Sequence, residues 1–201
     1  MPPRVALFAT FSLLLAGCAA VADRPVADAP PFRHLDSVDG RIATSHAIRL
    51  TVSSDDSLRA TPATHRQAIF DGHPFEVSMA ALLGSEQAVM VHAERVADSS
   101  GRSNYDSLPP ADWPDARFRL RSQCAAIDRE AVEAEHDLAF LDRQGWSPEG
   151  SLALEQYFAT TPDHNQEVVI SLVARVADCA DTEANAAALR RLRDRVRVTA
   201  G

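Results

Sequence analysis

Glu135-His136-Asp137 sets an acid, an imidazole and a second acid in a row, the residue types of general acid–base catalysis. Apolar residues at helical spacing surround the triplet, and on a helix adjacent side chains point in different directions. The triplet therefore reads as a solvated face. His92 lies two residues from Met90 and from Glu94. On a strand those three share one side, which reads as the outer face of a hairpin. His34, His46, His65, His73 and His164 stand apart in sequence. No G-x-S-x-G elbow, H-E-x-x-H pair, P-loop or G-x-G-x-x-G turn occurs. Local motifs thus assign no catalytic residue, no metal ligand and no cofactor. An enzymatic site would have to be assembled from residues distant in sequence.

The N-terminus carries a different chemistry. Arg4 precedes an apolar run over residues 5–16, followed by small residues, the three parts of an export signal. The run is shorter than the roughly 20 apolar residues that a membrane-spanning helix needs. Leu15-Ala16-Gly17-Cys18 resembles the lipobox of bacterial lipoproteins. The resemblance implies that the Cys18 thiol takes a diacylglycerol through a thioether. It also implies cleavage between Gly17 and Cys18 and acylation of the new amino terminus. A membrane partner, held through lipid on Cys18, follows. Several acyl chains make a stable anchor, whereas one chain, at about 0.8 kcal/mol per buried methylene, is marginal. Ala19 follows the cysteine where a retention signal would have Asp, which implies the outer membrane, facing the periplasm. The alternative is Ala20-Val21-Ala22, which fits the A-x-A pattern of ordinary signal peptidase and would release a chain starting at Asp23. The resemblance covers the signal alone and implies nothing about the mature fold.

Arg4 is the only charge in the signal, so its removal takes the formal net charge from −8 to −9. An acidic chain without a single lysine is not a general nucleic-acid binder. With Cys18 taken by lipid, Cys124 and Cys179 remain. An even pair in an oxidising compartment reads as a disulfide, and closing a loop of that size stabilises a fold by roughly 4 kcal/mol on the chain-entropy model. Two buried free thiols are the alternative.

Three segments follow: a signal over 1–17, a lipidated flexible tether over 18–41, rich in Ala, Pro and Asp, and one globular domain over 42–201. Ile48, Leu50 and Val52 alternate with polar residues as in a half-buried strand. A hairpin runs through residues 75–83 and 89–93. A three-residue loop pairing Val77 with Ala93 and Met79 with Val91 gathers its apolar residues on one face. Phe118, Leu120 and Cys124 form a further strand, and the prolines between 98 and 116 exclude regular structure there. A helix capped by Asp128 spans Ala131 to Leu141 and ends at Gly145 and Trp146 in a Schellman arrangement. Leu152 to Ala159 and Glu167 to Asp178 make a second hairpin, whose later strand is apolar on both faces and therefore central. Thr182 caps a last helix through Val196. The expected fold class is α+β: an antiparallel sheet of two hairpins plus further strands, with two helices packed on one face.

Two surfaces could meet a partner. Unstructured loops as long as 98–116 are usually functional or disordered, and Arg102, Asn104, Tyr105 and Trp113 could form a contact patch there; the alternative buries Trp113 in the core. Arg190, Arg191, Arg193 and Arg197 form a basic surface at the end of the last helix, where they offset the macrodipole or meet anionic lipid or an acidic envelope protein. The expected function is non-catalytic: a membrane-anchored periplasmic lipoprotein that binds or scaffolds an envelope protein of an assembly, secretion or transfer system. A small lipid-anchored envelope hydrolase is the alternative. A His, Asp/Glu and Ser cluster in a concave pocket would favour the hydrolase, and a bare sheet edge or apolar patch would favour binding.

Overall fold

Val, Ile and aromatic residues recur in the strand-length apolar runs after residue 34, and such side chains favour a pleated, half-buried surface. In the computed structural model, which describes residues 34–201 apart from Asp56, Pro114 and Asp115, strands dominate accordingly. The expected signal, Cys18 and the part of the expected tether through Arg33 lie outside the described residues. Strands β1 (Leu35–Val38), β2 (Arg41–Thr44), β3 (Leu50–Ser54) and β12 (Val196–Ala200) form a small antiparallel sheet in that order. The large sheet runs β4 (Arg59–Ala60), β6 (His73–Leu83), β7 (Gln87–Val96), β11 (Gln166–Arg175), β10 (Gly150–Thr160), β9 (Ala116–Ile127) and β8 (Pro110–Trp113). Strand β5 (Thr64–Phe70) also pairs with β6. The helices are α1 (Arg129–Ala134), α2 (His136–Arg143) and α3 (Thr182–Arg193). Among the described residues no helix is long and apolar enough to cross a membrane.

Both faces of the large sheet are covered. On one, Leu82, Val91, Tyr157 and Ile170 pack against Ile42 and Val52 of the small sheet and Leu192 of α3. On the other, Met79, Met90 and Val173 pack against Val132 of α1, Phe140 of α2 and Trp146. The expected α+β layout with two helices on one face is therefore wrong: the fold is mostly β, two packed sheets with short helices on opposite faces of the larger one. The physical reason is the apolar content of both faces of β6, β7 and β11, since each face needs its own cover. Residues 35–41, read as tether, form β1 and the start of β2, joined by a turn in which Asp39 and Gly40 both have positive φ. Asp-Gly is the residue pair that such a hairpin turn selects.

Several local expectations need correction. The first hairpin pairs Val77 with Glu94, Met79 with His92 and Ala81 with Met90, one residue away from the expected register. One-sided periodicity fixes register only when a single face is buried, and here residues 77–83 are all buried. The expected single helix over 131–141 is two, interrupted at the extended residue Glu135. Its ends hold: Asp128 accepts from the Ala131 N–H, and the Trp146 N–H reaches the Leu141 carbonyl over Gly145 in the left-handed region. The last helix is capped by Asp181 instead of Thr182 and stops at Arg193, so Val196 belongs to β12. The prolines of 98–116 permit an edge strand that begins on Pro110, the place in a sheet where proline is tolerated. Strand β11 is central, between β7 and β10, as its two apolar faces require. Cys124 and Cys179 are disulfide-bonded with their Cα atoms 5.4 Å apart, joining β9 to the segment before α3.

Candidate functional site

The face of the large sheet that carries α1 and α2 is only half filled by them. Beyond their edge the same face turns polar, and a cleft of about 520 Å³ opens over β7, β11, β10 and β9. Strand alternation places His92 and Glu94 on its floor, in line with Met90 under the helices. Glu167, Gln156 and Arg121 arrive from the next three strands. Above the floor stand Asp137 from α2, Arg66 and Phe70 from β5, and the segment from Gly101 to Tyr105.

That segment is pinned. The Gly101 N–H donates to Asn165 Oδ1 at 2.8 Å and the Ser103 N–H to the His164 carbonyl at 3.0 Å. A side chain at Gly101 would press on the Asp163 carbonyl, and its φ is +69°, so glycine suits this close approach to the β10–β11 turn. Tyr105 stacks on Phe158 with ring centroids 4.1 Å apart, and the Arg121 guanidinium lies 5.4 Å from the Phe158 centroid.

The electrostatic centre is a cross-strand pair. Glu94 of β7 lies opposite Glu167 of β11, and both are buried. Like charges directly opposite are unfavourable. Burial drives the Glu167 carboxyl well above its usual range, the charge on Glu94 adds to this, and the Tyr105 and Ser103 hydroxyls pull the other way without prevailing. Burial, and then Glu167 and Glu94, likewise keep the Tyr105 phenol neutral. His92 is poised oppositely. Burial disfavours its charged form, yet Asp137 and Glu94 outweigh burial and raise its pKa. Its Nδ1 is 3.3 Å from Glu94 and its Nε2 3.6 Å from Asp137, which in turn lies 3.9 Å from Arg66.

The cleft is incompletely satisfied. Glu167 Oε2, Gln156 Oε1, His92 Nε2 and Arg66 Nε are buried and lack a hydrogen-bond partner. Such groups normally find partners, because an unmade buried hydrogen bond costs about 1–3 kcal/mol. Chemically, the floor offers an acid whose charged form burial disfavours, Glu167, an imidazole whose charged form Asp137 and Glu94 favour, His92, and open acceptors beside open donors. Among the described residues no group of three His, Cys, Asp or Glu is placed to hold a metal ion.

The structure divides the sequence-derived sites. Arg102, Asn104 and Tyr105 line the cleft. Trp113 does not: it is buried on the other side of the sheet against Phe118 and Tyr157. Of the acidic triplet, His136 is exposed, Glu135 links the two helices, and Asp137 turns into the cleft, so the solvated-face reading fails for Asp137. His92, read as lying on an outer face, is buried. The basic surface is split: Arg190 and Arg191 are exposed on α3, Arg197 is exposed on β12, and Arg193 folds over Trp113 at 5.6 Å. Arg121, Gln156 and Glu167 carried no site expectation from the sequence, and Glu94, expected on an outer face beside His92, is buried. Their signal was a charged or amide side chain at an inward position of a strand destined for the middle of a sheet.

No protein-family model matches the chain, and no curated protein and no solved structure is significantly similar to it.

Proposed function

We propose that this chain is a lipid-anchored envelope lipoprotein, held by Cys18 at the periplasmic face of the outer membrane, that binds an envelope component in the cleft. It would serve as the recognition part of an assembly, secretion or transfer system. One observation carries the reading: buried polar atoms without hydrogen-bond partners converge on a cleft edged by a pinned loop. Open donors and acceptors in a preformed concavity are the arrangement of a small-ligand site. The loop residues Arg102, Asn104 and Tyr105 keep their proposed contact role as its rim, and no cofactor is needed.

A second reading has a specific observation behind it. His92, Asp137 and the acid pair meet in one concavity, and burial with the charge on Glu94 raises the Glu167 carboxyl, as a general acid requires. That favours the small envelope hydrolase, with Glu167 as proton donor.

Site-specific photocrosslinking in intact cells tests the binding reading. A benzophenone side chain at Asn104, on the cleft rim, is expected to give a discrete higher-mass adduct. The same group at Glu183, exposed on α3, is expected to give none. Absence of an adduct at 104, or equal adducts at both positions, contradicts the reading. Turnover of chromogenic ester or glycoside substrates that Glu167→Gln abolishes would select the hydrolase instead.

A further inference from the structure

The cleft's chemistry narrows what it holds; this inference rests on the proposed binding role of that site. Acceptors without partners, Glu167 Oε2 and Gln156 Oε1, stand in one cavity with the donor Arg66 Nε and with His92 Nε2, a donor when the ring is charged. A simple anion would satisfy only the donors and would lie against Glu94 and Asp137. A simple cation would satisfy only the acceptors and would lie against Arg66 and Arg121. A hydroxyl donates one hydrogen bond and accepts two, so a ring of hydroxyls meets both kinds at once.

The charge balance agrees. Four acids line the cleft, Asp71, Glu94, Asp137 and Glu167, against three arginines and His92. Burial disfavours the charged form of Glu167, so whichever form it and His92 take, the excess of either sign is at most one unit of charge, too little to select a strongly charged ligand. The remaining wall is aromatic: Phe70 and Phe75 lie on one side and the Tyr105–Phe158 stack on the other. Such faces suit the C–H face of a ring that is polar only at its edge. We infer that the cleft binds a neutral polyhydroxylated ligand, one ring of a sugar, with hydroxyls on Glu167, Gln156 and Arg66 and its C–H face on the aromatic wall. The sugar is either free or part of an envelope glycan.

Calorimetric titration of the full chain in lipid nanodiscs tests this with four probes: N-acetylglucosamine, its tetramer, alanine and inorganic phosphate. The expected result is saturable binding of at least one sugar and neither of the other two. Tighter binding of the tetramer identifies a glycan as the source, and equal binding a free sugar. Gln156→Leu, which removes one open acceptor, and Glu167→Gln are each expected to weaken sugar binding at least tenfold. Arg190→Ala, on the opposite side of the sheet, leaves it unchanged. Binding of alanine or phosphate in place of the sugars overturns the ligand class and leaves the binding site standing. Sugar binding that neither cleft substitution weakens overturns the assignment to this cleft. Silence from all four probes overturns the ligand class, while a cleft-specific adduct at Asn104 would still uphold the binding reading.

Discussion

His92 and Glu167 make stability fall as the medium becomes alkaline. The folded pKa of His92 is raised above 6.5, so its contribution is fully present below 6.5 and is lost as pH climbs through the folded value. Glu167 is raised well above 4.5, so in the window above 4.5 the folded state binds a proton that the unfolded chain releases, and stability again falls with rising pH. Buried His34 and His46 act oppositely but lower down. Burial depresses both, His34 to about 3, so they remove stability as pH falls below 6.5. Above 6.5 they are neutral in both states. The melting temperature is therefore expected to decline from pH 6.5 to 9, and His92→Gln to flatten the decline. Glu167→Gln should raise the melting temperature more at pH 8 than at pH 5, because the cost of burying this carboxyl grows as pH rises above 4.5. Thermal melts across this range check both, and a melting temperature that climbs with pH above 6.5 contradicts the charge assignment.

The elements legible in the sequence were those whose signal is local or covalent. Asp128 and the Gly145-Trp146 pair mark helix ends because capping is decided by a few backbone groups. The Cys124–Cys179 bridge followed from counting, and its 55-residue separation makes the loss of both cysteines cost roughly 4 kcal/mol on the chain-entropy model. Denaturant unfolding of a Cys124→Ser, Cys179→Ser double variant measures this, and a change under about 1 kcal/mol would mean that the bridge adds little to packing already in place. Elements whose placement depends on partners far along the chain were not legible. The small sheet pairs Val198 with Val52 across 146 residues of chain, and nothing near either residue announces the other. The hairpin register failed for the same reason: the cover on the second face of β6 comes from residues 132–146. That misreading also hid the site, because His92 and Glu94 on an outer face would be ordinary solvated side chains.

At the scale of the whole molecule, the two faces of the large sheet do different work. One is filled by the small sheet, α3 and the disulfide, and holds the fold. The other is divided between an apolar half under α1 and α2 and the polar cleft. A rigid floor with a pinned rim keeps the open donors and acceptors in place before a ligand arrives, which lowers the ordering cost of binding. The exposed arginines Arg190, Arg191 and Arg197 lie on the filled side with α3 and β12, so the cleft is not part of that basic surface. The proposed envelope role holds only if the chain is lipid-anchored at Cys18 as proposed. The most direct test of that claim is the intact mass of the mature protein extracted from membranes. The account predicts a chain beginning at Cys18 and carrying diacylglycerol and an amide-linked acyl chain. An unmodified chain beginning at Asp23 would contradict it.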